Sequence, residues 1–129
     1  MYEDDLEIAS AVINANPEAT HWIFAGLNDD CGIAPLQILQ EIGFDMDNAL
    51  ACGLGGNELS LDKFASECTN YICVFMPSDE EGAAAMQQLY DNITKGAPLE
   101  HQYVPGKICT WENYLESDFF PNGKLKSEQ

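Results

Sequence analysis

Arginine is absent from this 129-residue chain, and only five lysines stand against 22 aspartates and glutamates, a formal net charge of -17. The first 62 residues hold twelve of those acids and not one lysine, so the imbalance belongs to the body of the chain rather than to a tail. Such a surface excludes binding to nucleic acid or to anionic membranes, because both need Lys and Arg to neutralise phosphates. Long apolar runs are missing too, and none approaches the length of a membrane span. The first residues, Met-Tyr-Glu-Asp-Asp, are acidic where a secretory signal would be basic. The five cysteines, at 31, 52, 68, 73 and 109, are odd in number, form no CxxC pair and have no histidine at zinc spacing. Reduced thiols and a cytoplasmic location are the expectation.

What is present is the composition of a folded protein, 46% apolar, in a chain long enough for one domain with its own core. The run Tyr71-Ile72-Cys73-Val74-Phe75-Met76 is short, apolar and rich in strand-favouring residues, so it reads as a buried strand stopped by Pro77. Ser78-Asp79-Glu80-Glu81 then has the S-x-x-E pattern of a capping box. The helix that follows places Met86, Leu89, Tyr90 and Ile93 at the i, i+3, i+4, i+7 spacing of one buried face, and Gly96 stops it. A buried strand feeding a helix argues for an α/β fold. We expect a single domain over residues 1–123, a small central sheet flanked by helices, with a polar C-terminal tail over 124–129.

Ahead of that unit, Glu3 to Ala15 reads as a helix with Leu6, Ala9, Val12 and Ile13 on one face and acids in its first turn. Thr20 to Ala25 reads as a second buried strand, and Asn28-Asp29-Asp30-Cys31-Gly32 as a polar turn before a helix starting at Ala34-Pro35. Phe44 to Cys52 fits an edge strand or a helix, and Gly53-Leu54-Gly55-Gly56 a loop. Leu59 to Cys68 reads as a short helix. After Gly96, Leu99 to Val104 alternates like a strand, with Lys107 to Thr110 as its hairpin partner across Pro105-Gly106. Thr110 caps a last helix over Trp111 to Phe119.

Two strands thus end in acidic turns, Asn28-Asp29-Asp30 and Ser78-Asp79-Glu80-Glu81. In an open α/β sheet the carboxyl ends of parallel strands form the ligand crevice, where carboxylates could hold magnesium. Both clusters equally serve as helix caps, and no metal or cofactor is expected. Cys31 lies near a helix start, which lowers a thiol pKa, beside Asp29 and Asp30, which raise it. His21 and His101 have no spacing relation to Cys31 that would make a catalytic pair, and no enzymatic activity is expected. Gly53 to Gly56 lacks the Lys-Ser/Thr of a phosphate loop. Trp111, Tyr114, Phe119 and Phe120 beside Glu112, Glu116 and Asp118 fit either a core-facing helix or an aromatic–acidic docking surface.

Asp29-Asp30 after a strand, the segment Ile38-Leu39-Gln40-Glu41-Ile42-Gly43-Phe44, and Met76-Pro77 after a later strand resemble response-regulator receiver domains. The resemblance implies an α/β fold with an acidic metal pocket, although Cys73 stands where that family carries its phosphoacceptor aspartate. In size and acidity the chain is also similar to bacterial immunity proteins of colicin-type and contact-dependent toxin systems. That likeness implies an inhibitor that neutralises a basic partner, a nuclease toxin, by charge complementarity. Asp29, Asp30, Asp79, Glu80, Glu112, Glu116, Asp118 and Phe120 are its expected contact residues. The alternatives are a nucleic-acid mimic directed against a defence protein and a receiver-like metal-binding domain.

Overall fold

The computed structural model describes residues 2–115 of the chain. In order these form α1 (Tyr2–Asn14), β1 (Trp22–Ala25), α2 (Asp29–Glu41), a 3-10 turn (Met46–Asn48), β2 (Ala49–Gly55), α3 (Glu58–Ala65), β3 (Tyr71–Phe75), α4 (Ser78–Lys95) and β4 (Lys107–Cys109). The strands make one sheet in the order β1-β2-β3-β4. β1, β2 and β3 run parallel, and β4 returns antiparallel to β3 with Cys73 opposite Cys109. The fold is α/β, as expected from the strand–helix alternation.

One face of the sheet carries the core. Ala49 and Ala51 of β2, Tyr71 and Cys73 of β3 and Cys109 of β4 are all buried there, under Ile33, Leu36 and Leu39 of α2 and Phe64 of α3. α2 lies against β2, and α1 packs on α2 through Ala9 and Ile13. Small residues set the approach: a Cβ on Gly32 of α2 would sit 2.9 Å from the Cys52 carbonyl oxygen, so the helix can come that close only as glycine. Phe64 is fully buried with its ring centroid 5.5 Å from that of Tyr71 and 5.8 Å from that of Tyr114.

Among the described residues, the opposite face is left largely uncovered. Ile23 is 81% exposed and Ile108 68% exposed, although their register places them on the same face as Leu50, Ile72 and Val74. The expected burial of the first strand on both sides is therefore corrected. The stripe Met86, Leu89, Tyr90 and Ile93 on α4 is likewise exposed rather than packed on the sheet. Its spacing makes a face, but spacing does not supply a neighbour to bury it.

Other expectations are corrected by local chemistry. α2 starts at Asp29, five residues before Ala34, because the Asn28 side chain caps it by accepting from the Cys31 amide at 2.8 Å. Pro35 is therefore inside the helix. β2 runs through Gly53 and Gly55 and is an internal strand, neither an edge strand nor a loop; the Asn70 side chain ties its start to the 3-10 turn by donating to the Ala49 and Met46 carbonyls. The capping box does not close: Ser78 donates to the Met76 carbonyl and α4 has no side-chain cap. Leu99 to Val104 is not a strand, and β4 pairs with β3 instead. Gly96 does end α4 in the left-handed region, φ 68°. Trp111 to Leu115 forms successive turns tied by the Thr110 amide to Asn113 Oδ1; Phe119, the rest of that helix and the 124–129 tail lie outside the described residues.

Truncating Phe64 to alanine empties the contact between α3, β3 and Tyr114. Phe64→Ala should lower stability by about 4 kcal/mol, read as a shift in the urea unfolding midpoint with an unchanged slope.

Candidate functional site

The parallel strands β1, β2 and β3 deliver three loops to their carboxyl ends: Gly26 to Asn28 before α2, Gly56-Asn57 before α3, and Met76-Pro77 before α4. One side chain organises them. Asp29, the first residue of α2, is 2% exposed. Its Oδ2 accepts from the backbone amides of Gly56 at 2.7 Å and Asn57 at 2.9 Å. Its Oδ1 accepts from the Tyr71 hydroxyl at 2.8 Å and the Cys73 thiol at 3.1 Å. Ser60 Oγ is 2.8 Å from the same Tyr71 hydroxyl. The start of α2, the β2–α3 loop and the interior of β3 are thereby joined at one carboxylate.

The surrounding backbone is shaped for this junction. Gly56 has φ 87°, and a Cβ there would overlap the Phe75 ring. A Cβ on Gly53 would overlap the Tyr71 hydroxyl and crowd Asp29. Gly26 donates to the Cys52 carbonyl at 2.8 Å, and Met76 to that of Gly55 at 3.1 Å, so each loop is also stitched to β2. Asn57 caps α3 by accepting from the Ser60 amide and donates through Nδ2 to Asp30 Oδ1 at 2.9 Å. The rim left facing outward is Leu27, 90% exposed, with Asn28 and Asn57 exposed and Asp30, Gly56 and Met76 half-buried.

The electrostatics follow from the hydrogen bonds. Burial by itself raises the Asp29 carboxyl, yet the donors from Tyr71, Asn57, Cys73 and Ser60 outweigh it and hold the group below the ordinary carboxylate range. Burial, together with the Asp29 charge, pushes the Tyr71 hydroxyl and the Cys73 thiol far up, so both remain protonated donors. The Cys31 thiol is also raised, by burial and then by its 3.5 Å contact to Asp5 and the nearby acids. The helix start does not win at Cys31.

The expected contact residues are dispersed. Asp29 faces inward and cannot present charge to a partner, because its burial is what lets it collect four donors. Asp30 stands beside it at the crevice. Asp79 and Glu80 are exposed in the first turn of α4, and Glu112 is exposed in the turns after Thr110. Glu116, Asp118 and Phe120 lie outside the described residues. Asn57, Gly56 and Leu27 are the site residues that sequence reasoning missed. Asn57 followed by Glu58 and the apolar Leu59 and Leu61 was a readable helix start, and it would have put a loop of the Gly53 to Gly56 stretch at a strand end.

No family model matches the chain. Over 113 residues, 85% of the chain, it is 22% identical to the L-arabinose-binding periplasmic protein of Escherichia coli (strain K12), of which it covers 34%. Among solved structures it resembles the Caulobacter myo-inositol binding protein bound to myo-inositol, with a TM-score of 0.78 and 18% identity over 92% of this chain and 40% of that one. It also resembles a LacI family transcriptional regulator from Arthrobacter sp. FB24, with a TM-score of 0.65 and 20% identity over 84% of this chain and 40% of the other. The chain thus spans roughly a third to two fifths of these proteins.

These likenesses overturn the expectation of an acidic inhibitor with a basic toxin as partner. The similar proteins are named for binding small molecules and for transcriptional regulation, so immunity protein and antitoxin are the wrong terms. The nucleic-acid mimic and the receiver-like metal-binding domain give way with it. Among the described residues no group of three or more His, Cys, Asp or Glu is placed to hold a metal, and none of their helices is long and apolar enough to cross a membrane.

Replacing Asp29 by asparagine keeps the shape but turns an amide NH2 or a neutral oxygen toward four donors. Asp29→Asn should cost about 3 kcal/mol at pH 7. The native carboxyl is lowered by folding, so its contribution is present above its unfolded pKa and lost as pH falls through the folded one. Urea unfolding of both proteins between pH 7 and pH 2 should show the gap narrowing on the acid side; a gap that widens would contradict this.

Proposed function

We propose that this chain forms one wall of a binding site for a small, uncharged, polyhydroxylated ligand seated over the carboxyl ends of β1, β2 and β3. The observation that carries the reading is the braced rim itself. Asn28 and Asp30 at the start of α2 stand together with Asn57 and the Gly56 backbone of the next loop, and the buried Asp29 ties the two rigidly. Carboxylate and amide oxygens accept from hydroxyl groups, and the exposed Leu27 offers an apolar patch to the C–H face of a ring. With no Lys or Arg in the first 62 residues, these two loops have nothing with which to neutralise a phosphate or a sugar acid. The similar proteins include one of like fold solved with myo-inositol and one of like sequence named for L-arabinose, both neutral and rich in hydroxyl groups.

Binding rather than turnover is favoured by the titrating groups. A general acid or base works best with a pKa near the working pH. Asp29 is moved below the ordinary carboxylate range, and Tyr71 and Cys73 are moved far above the ordinary values of a phenol and a thiol. The role of Cys73 as a thiol donor needs a reduced sulfur, which supports a reducing compartment such as the cytoplasm and a ligand-sensing role there.

One wall binds weakly, so saturation-transfer NMR of the chain with myo-inositol and L-arabinose, against their phosphorylated counterparts, is the suitable test. We expect a neutral polyol to bind with a dissociation constant of about 1 mM and Asp30→Asn to weaken it about tenfold, a difference of about 1.4 kcal/mol. Preference for the phosphorylated ligands, or no transfer from any polyol, would reject the reading.

A further inference from the structure

Parallel sheets are ordinarily covered on both faces, because their strands are apolar on both sides. Here, among the described residues, the second face is left largely uncovered: Ile23, Leu50 and Ile108 are exposed and Cys52, Ile72 and Val74 half-buried. Ile23, Leu50, Cys52, Ile72, Val74 and Ile108 form one apolar surface across all four strands, with Ile23 beside Leu50, Cys52 beside Ile72 and Val74 beside Ile108 in register. None of these six is charged, in a chain whose net charge is -17.

The same chain carries an unpartnered helix of matching chemistry. α4 leaves β3 after the buried Pro77, and none of its eighteen residues is buried. Its inner side meets the stretch 97–104, where the Gln88 side chain both donates to the Glu100 carbonyl at 2.7 Å and accepts from the Glu100 amide at 3.1 Å. Its outer stripe is exposed among the described residues, Met86 67%, Tyr90 59% and Ile93 73%. A helix stripe and a bare sheet face are the two halves of an ordinary α/β layer.

We propose that these halves meet between two copies of the chain: α4 of each copy lies across the open sheet face of the other, in a reciprocal, two-fold dimer. Reciprocity uses both faces of both copies, as a closed two-fold interface requires. A stable interface takes about 800 Å² from each partner; the exposed Ile23, Leu50, Ile108, Met86, Tyr90 and Ile93, at on the order of 100 Å² apiece, supply about three quarters of it, and Leu89 with the half-buried Cys52, Ile72 and Val74 adds the rest. The two faces themselves are neutral, so the opposing force is the long-range repulsion of two anionic molecules, which salt screens. The proposal does not depend on the polyol reading.

Size-exclusion chromatography with light scattering on the 129-residue chain tests it. The expected mass is twice the 14.2 kDa of one chain. Dimerisation should strengthen as salt rises from about 50 to about 500 mM. Ile108→Glu on the sheet and Ile93→Glu on α4 should each give a monomer with unchanged far-UV circular dichroism, and both sites are exposed enough to accept the charge. Ile108→Gln and Ile93→Gln, which add no charge, should weaken the dimer in the same direction. A monomeric native chain, a dimer that weakens with salt, or a dimer that survives either glutamate substitution would overturn the proposal; survival of one alone would mean sheet-on-sheet or helix-on-helix association.

Discussion

The carboxylate of Asp29 is the constraint on which the rest depends. It lies at the start of α2, is shut off from water, and holds two loop amides, a hydroxyl and a thiol. A buried charge without such partners would cost several kcal/mol, so the donors and the fold around them are mutually required. Gly53 makes room for the Tyr71 hydroxyl and Gly56 for the Phe75 ring, and Tyr71 reaches the carboxylate because Phe64 and Ser60 fix its ring and hydroxyl. From this junction the fold gains a fixed crevice floor, and the rim residues above it gain a fixed spacing.

Part of this was legible in the sequence and part was not. β3 and α4 were readable from an apolar run, a proline and a helical period, and their boundaries agree with the structure to within a residue. β2 was not, because one side of this internal strand is Ala49, Ala51, Gly53 and Gly55, with little apolar bulk, and no residue of it is β-branched. Its small residues are there to admit α2, a tertiary reason that no local pattern displays. The start of α2 was readable in principle from Asn28 followed by two acids, but the same residues favour turns. Asp29 looked like surface charge for a similar reason: burial of a carboxylate is set by donors 27 to 44 residues away, two amides of the β2–α3 loop and two side chains of β3.

The net charge misdirected the functional reading. A charge of -17 speaks first to solubility and encounter rates, and does not specify a partner. What the structure adds is location: of the carboxylates nearest the crevice, one is consumed internally and the other is coupled to Asn57. In the proposed reading, acidity at this site disfavours anions and leaves hydroxyl-rich neutral molecules as the chemical match. The fold likeness to the myo-inositol binding protein and the sequence likeness to the L-arabinose-binding protein are consistent with a wall of that kind, in a chain that spans only part of their length.

The central claim, that Asp29 braces the crevice, is tested most directly by amide hydrogen exchange at Gly56 and Asn57. These amides belong to a half-exposed loop, where little protection is expected without a buried acceptor. The account predicts exchange slowed to the level of the β3 amides in the native chain, and released in the Asp29→Asn protein. Exchange at the rate of an open loop in the native chain would contradict it.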